Sequence, residues 1–211
     1  MTPGERAAWW IDLQTHCLQK AFANNRNELV LSVDYLAEAL IQDNKIMVCG
    51  NGGSSANAQA LVAMLINRYH RERPALPAFL LTADQPSFSS IVGESSFSDV
   101  YARSLRALGK PGDILVCLSV TGQASNILQA IEAAHDRDMR VIALTGFDGG
   151  DVVNLLHARD LSLLVPFERH ALIHSIHLDF LHCIAHLLDE RLFGEEDYSE
   201  LNEQVASGPL S

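Results

Sequence analysis

Leu29, Val33, Leu36, Ala37 and Leu40 recur at three- and four-residue spacing, which lays one apolar stripe along a helix. Trp9, Trp10, Leu13, Cys17 and Leu18 mark an earlier helix of the same kind. Two packing surfaces are open to such an N-terminal pair, its own domain or another subunit. The pattern then changes. Lys45–Cys49 is a continuous apolar run of strand length, ended by Gly50-Asn-Gly-Gly-Ser54 and followed by a helical stretch from Ala56 to Tyr69. Further runs of strand length are Ala78–Thr82, Asp113–Leu118, Arg140–Leu144 and Leu161–Val165. Helical spacing covers Ser125–Arg137 and a long amphipathic stretch, Arg169–Phe193. Fully apolar strands alternating with helices predict a parallel sheet covered on both faces, a three-layer α/β domain. In such a domain ligands bind beyond the carboxyl ends of the strands.

The chain has 211 residues, enough for one ordinary domain with a real core and no covalent staples. We read residues 1–193 as that domain and 194–211 as a disordered acidic tail. Of 26 acids, seven fall from Asp189 onward, against the single base Arg191. The formal net charge of −11 repels phosphate backbones and argues against direct nucleic-acid binding. No apolar run approaches the ~20 residues of a membrane span. The first residues lack the basic start and apolar stretch of a secretory signal. Cys17, Cys49, Cys117 and Cys183 are scattered with no CxxC pairing, which reads as reduced thiols in a cytoplasmic protein.

Two strand-to-helix loops carry candidate chemistry. In Gly50-Asn-Gly-Gly-Ser-Ser55 the glycines let the backbone turn and approach a ligand, and the helix start behind them offers unpaired N–H groups. Ser119-Val-Thr-Gly-Gln-Ala-Ser125 repeats the arrangement. Either loop alone is equally a set of turn and cap residues. Two at matching positions point to a phosphorylated ligand, with Asn51, Gly52, Gly53, Ser54, Ser119 and Thr121 as candidate contacts. Neither loop is a dinucleotide or Walker sequence, so no nucleotide cofactor is indicated.

On Cys49-Gly-Asn-Gly-Gly-Ser54, Asn67-Arg-Tyr69 with Glu72-Arg-Pro74, Ala107–Asp113 and Ala143–Gly150, the chain resembles the sugar isomerase (SIS) domain family. Within it, the similarity is to phosphoheptose isomerases and to their paralogue that associates with the replication initiator DnaA. The resemblance implies a five-stranded parallel sheet in an αβα sandwich, a phosphosugar-type pocket and a homotetramer. It also implies a metal and proton-transfer pair, a His and a Glu one helical turn apart, where this chain has Ala60 and Met64. Neither side chain binds a metal or takes up a proton. Val120 and Ala124 replace hydroxyl residues of the second loop, and Glu94-Ser95 replaces an Asn-Asp pair.

His182 matches the zinc-binding His of the isomerases, and His174 takes the place of a ligating Gln. Eight residues of straight helix rise ~12 Å, too far for one metal on one helix, so a shared site needs ligands from neighbouring subunits. His177 falls on an apolar stripe and reads as a core residue, whereas His182 and His186 share a face, open to a metal or to a polar interface.

These departures favour a non-catalytic SIS protein with no catalytic residues, metal or cofactor. In this reading its tetramer gathers DnaA molecules at the origin by multivalency. Leu192 and Phe193 match the partner-contacting pair of that relative, with an apolar helix cap as the plain alternative. Two other readings stay open. One is a sedoheptulose 7-phosphate isomerase, with Glu94 or His182 as acid–base groups; the other is a phosphosugar-sensing regulator.

Overall fold

The computed structural model describes residues 1–199. Two N-terminal helices, α1 (Pro3–Asn24) and α2 (Arg26–Ile41), precede β1 (Ile46–Gly50) and α3 (Gly53–Ile66). Next come β2 (Ala78–Leu80), α4 (Gln85–Glu94), a short 3₁₀ turn at Phe97–Asp99 and α5 (Val100–Leu108). The chain continues through β3 (Ile114–Ser119), α6 (Ser125–His135), β4 (Arg140–Gly146), α7 (Gly150–Leu155), β5 (Leu161–Val165) and α8 (His170–Phe193).

All five strands pair in parallel, in the order β2-β1-β3-β4-β5. Alternate residues of the central strands feed two cores. Ile46, Val48, Ile114, Val116 and Leu118 face a layer built from α1, α2, α3 and α8. Met47, Cys49, Leu115 and Cys117 face α5, α6 and α7. The three-layer α/β sandwich expected from the apolar strands is therefore the architecture found.

The N-terminal pair packs on its own domain. Asn25, at the junction of α1 and α2, pairs its side-chain amide with both backbone groups of Leu164, at 2.8 Å each, and so occupies the free edge of β5. Asp113, fully buried, performs a similar task at the amino ends of the inner strands. It accepts the backbone N–H groups of Lys45 and Lys110 and pairs with the Lys45 ammonium.

Other segments differ from the sequence pattern. Strand β2 stops at Leu80 rather than Thr82. Helices α4 and α5 occupy a region that the apolar spacing leaves unassigned. Asp84 caps α4 by accepting from the Ser87 amide, and Pro86 sits in its first turn. By length and composition α8 is apolar enough to cross a membrane, although no continuous apolar run marks it. Its apolar residues, Ile173, Ile176, Phe180 and Ile184, are spent on the core. Gly194–Ser199, the start of the acidic tail, folds back: Arg71 donates to the Gly194 carbonyl and Tyr198 reaches His186 at 2.8 Å. Residues 200–211, the remainder of that tail, lie outside the described residues.

Candidate functional site

The sheet order reverses between β1 and β3, so the chain leaves these two neighbours in opposite directions and a crevice opens beyond their carboxyl ends. The register sets Gly50 beside Leu118 and Ser119 beside Thr145, which brings both loops to one level. The crevice between them has a volume of about 360 Å³. All six candidate residues line it: Asn51, Gly52, Gly53, Ser54, Ser119 and Thr121. Thr121 also borders an adjoining hollow of about 440 Å³ that reaches Phe147, Asp148 and Glu168.

The first loop is fixed by polar contacts that its own sequence does not announce. Asn51 and Asn126 exchange side-chain hydrogen bonds, each 2.8 Å, which ties the loop to the start of α6. The buried Tyr101 hydroxyl donates to the Gly50 carbonyl at 2.7 Å and lies 3.0 Å from Asn51 Oδ1. Gly52 has φ +54°, open to glycine at little cost, and forms the N-cap of α3 without a side-chain cap. In the second loop the Ser119 hydroxyl accepts from the Gly122 amide at 3.1 Å, so part of its capacity serves the turn. Helix α6 likewise starts at Ala124 with no side-chain cap. Two uncapped helix starts therefore face the crevice, an arrangement suited to an anion.

The opposite wall comes from α8. His170 and His174 line the crevice. A Cβ on Gly53 would lie 2.8 Å from His174 Nε2, so glycine there is what lets the imidazole approach the loop. His174 Nδ1 is buried with no partner. Burial, and secondarily His170, hold the ring pKa below the ordinary imidazole value, so this imidazole is neutral at pH 7.

Three other singled-out groups lie elsewhere. His177 is fully buried and its Nε2–H donates to the Thr145 carbonyl at 3.1 Å. His182 and His186 sit beside Tyr69, and neither lines the crevice. Glu94 is exposed, bonded to Ser90 within α4, and likewise does not line it.

The zinc implied by the resemblance does not fit the residues present. Met64 is buried in the core, Ala60 carries no donor atom, and His182 is more than two turns beyond His174 on the same helix. Among the described residues, this protomer gathers no ligand set at the crevice.

A parallel α/β sandwich with two glycine- and hydroxyl-bearing loops at its switch point defines a class of protein with an anion-receptive crevice beyond its strands. A family model described as "SIS domain" matches residues 10–146, and the chain belongs to that family. It is 44% identical to a phosphoheptose isomerase of Chromohalobacter salexigens over 162 residues, 77% of this chain and 82% of the relative. For the phosphoheptose isomerase of Aromatoleum aromaticum the identity is 45% over 166 residues, 79% and 84% of the two chains. Among solved structures, phosphoheptose isomerase GmhA from Neisseria gonorrhoeae superposes with a TM-score of 0.84 at 35% identity, covering 90% of this chain and all of the other. A phosphoheptose isomerase from Francisella tularensis gives 0.86 at 32% identity, with the same coverage.

These relatives correct the expectation of a non-catalytic initiator-binding protein. They stand with the isomerase branch, over nearly the whole fold. That expectation rested on Ala60 and Met64, on the altered second loop and Glu94-Ser95, and on the Leu192-Phe193 match; the loops and the crevice are in place despite these departures. Leu192 and Phe193 are half-buried and pack against the core cluster at the end of α8.

Proposed function

We propose that the crevice binds a phosphorylated sugar and that the protein is a phosphosugar isomerase of the phosphoheptose type. The relatives' activity supports the substrate class. The observation that carries the chemistry is His174, a neutral imidazole on the crevice wall whose Nε2 edge approaches Gly53 of the first loop. Aldose–ketose isomerisation moves a proton between adjacent carbons, which requires a base of suitable pKa at the sugar. In this proposal the phosphate rests on the N–H groups of the two loops with Ser54 and Thr121. The His174 imidazole accepts the C1 proton as the C2 carbonyl becomes an enediolate, and returns it to C2 while the hydroxyl proton passes from the C1 oxygen to the C2 oxygen. No step passes through a metal.

A second reading, binding of a phosphosugar without turnover, is favoured by Ala60 and Met64, where the resemblance implies acid–base and ligand groups. We also propose assembly as a homotetramer, supported by the exposed apolar residues Trp9 and Ile11 of α1 and Val30 and Leu31 of α2.

The deciding experiment follows conversion of sedoheptulose 7-phosphate by the purified full chain, with chelator and with added zinc. The isomerase reading expects turnover that survives the chelator and falls ~100-fold or more in His174→Ala. Substrate binding without conversion selects the second reading, and absence of both rejects the crevice as a phosphosugar site.

A further inference from the structure

The end of the sheet opposite the crevice carries a second cluster of chemistry-bearing side chains, unused by the isomerase reading. His135 closes α6, His157 lies in the loop after α7, and Asp160 immediately precedes β5. One potential ligand atom from each lies within 4.8 Å of the other two. His135 Nε2 is 2.8 Å from Asp160 Oδ2, and the two imidazole rings stack at a centroid distance of 3.8 Å and an interplanar angle of 16°. We propose that His135, His157 and Asp160 form a binding site for a divalent transition metal of the zinc class.

The chemistry of the donor set carries the assignment. Two imidazoles and one carboxylate are a borderline-soft set that suits zinc and its neighbours, and three protein ligands leave a position for water. Bonds of about 2.0–2.2 Å place neighbouring ligand atoms roughly 3 Å or slightly more apart, so the His135–Asp160 pair needs a shift of only a few tenths of an ångström. The exposed His157 ring must turn out of its stack on His135, because an imidazole holds a metal in its own ring plane. The carboxylate is already immobilised. Its side chain is fully buried, Oδ1 accepts the Val141 amide at 2.8 Å, and Oδ2 accepts the His157 amide at 2.7 Å. His135 is nearly buried, whereas His157 is exposed and provides the route of entry. Bound metal would clamp the end of α6 to the starts of β4 and β5. The competing account is a His135–Asp160 hydrogen bond with His157 merely stacked on it.

The test uses the tag-free full chain, stripped with chelator and dialysed, titrated with zinc chloride by calorimetry and followed by thermal melting. The site predicts a zinc equivalent that raises the melting temperature. His157→Ala, which removes an exposed side chain, should weaken that equivalent at least tenfold and abolish the thermal shift. His135→Gln should do the same while melting near the wild type without zinc. His182→Ala combined with His186→Ala should keep both signals, separating the site from the histidines of α8. No zinc binding by the wild type overturns the proposal, as does undiminished binding by His157→Ala and His135→Gln.

Discussion

Tyr101 and Asn51 show how single side chains hold the first loop in shape. The Tyr101 hydroxyl is the donor given to the Gly50 carbonyl, and the Asn51–Asn126 exchange is closed on itself. Tyr101→Phe leaves a buried carbonyl short of a donor, a loss of about 1–2 kcal/mol. It should show as a lower denaturation midpoint at unchanged m-value, and a midpoint equal to wild type would deny that bond its weight. His177 makes a pH-dependent contribution. Burial pushes its imidazole down to about 4, from an ordinary value near 6.5. The folded protein thus takes up this proton later than the unfolded chain does. Stability is complete above about pH 6.5, erodes below it, and has lost about 3 kcal/mol from this group once the pH is under about 4. Urea unfolding from pH 7 to 4 should show that slope, and His177→Gln, whose amide can still donate to Thr145, should flatten it.

At the scale of elements, a residue within the Glu72-Arg-Pro74 motif serves packing. The buried Arg73 guanidinium donates to Asp189 of α8 at 2.8 Å and to the Leu65 and Met64 carbonyls at the end of α3. One group thereby caps α3 and bolts it to α8, the two helices that carry opposite walls of the crevice. Arg73→Ala leaves the Asp189 carboxylate buried without its cation, which costs about 3–5 kcal/mol. The expected fall in melting temperature is roughly 10 °C; a change of a degree or two would mean that water replaces the guanidinium freely. A second element-scale constraint is Gly122, at φ +66°. A Cβ there would collide with the Gly149 carbonyl, because the loops after β3 and β4 touch through bare backbone. Gly122→Ala should therefore separate these loops and weaken phosphosugar binding more than it weakens the fold's far end, as hydrogen exchange along β3–β4 against β1–β2 would register.

For the whole molecule, the sheet order decides what the loops can do. Were the inner strands not β1 and β3, the two uncapped helix starts would not share a crevice. The apolar surface left on α1 and α2 belongs to the same scale. If it is spent on assembly, light scattering on the eluted protein should give four times the chain mass of 23.1 kDa. A monomer mass would leave Trp9 and Ile11 facing water and reject the tetramer.

What the sequence by itself determined is local. Apolar runs such as Ile46–Cys49 and Ile114–Leu118 are buried on both faces and so advertise parallel strands, and glycine and hydroxyl residues at their ends mark the loops. Those signals placed all six loop residues at one crevice. The helices at Gln85–Glu94 and Val100–Leu108 were harder to read, since the first is rich in serine and half-exposed and makes no long stripe. Only the tertiary structure decided the partners across the chain: Tyr101 on Gly50, Asn126 on Asn51, Arg73 on Asp189, His135 beside His157. Each pair joins residues 22 to 116 positions apart. Pairing at such distances depends on strand order and register, which periodicity of two or 3.6 cannot encode. The same reason explains why Ala60 and Met64 weighed so heavily in the linear reading: a missing side chain is visible in sequence, whereas a crevice kept intact around it is visible only in three dimensions.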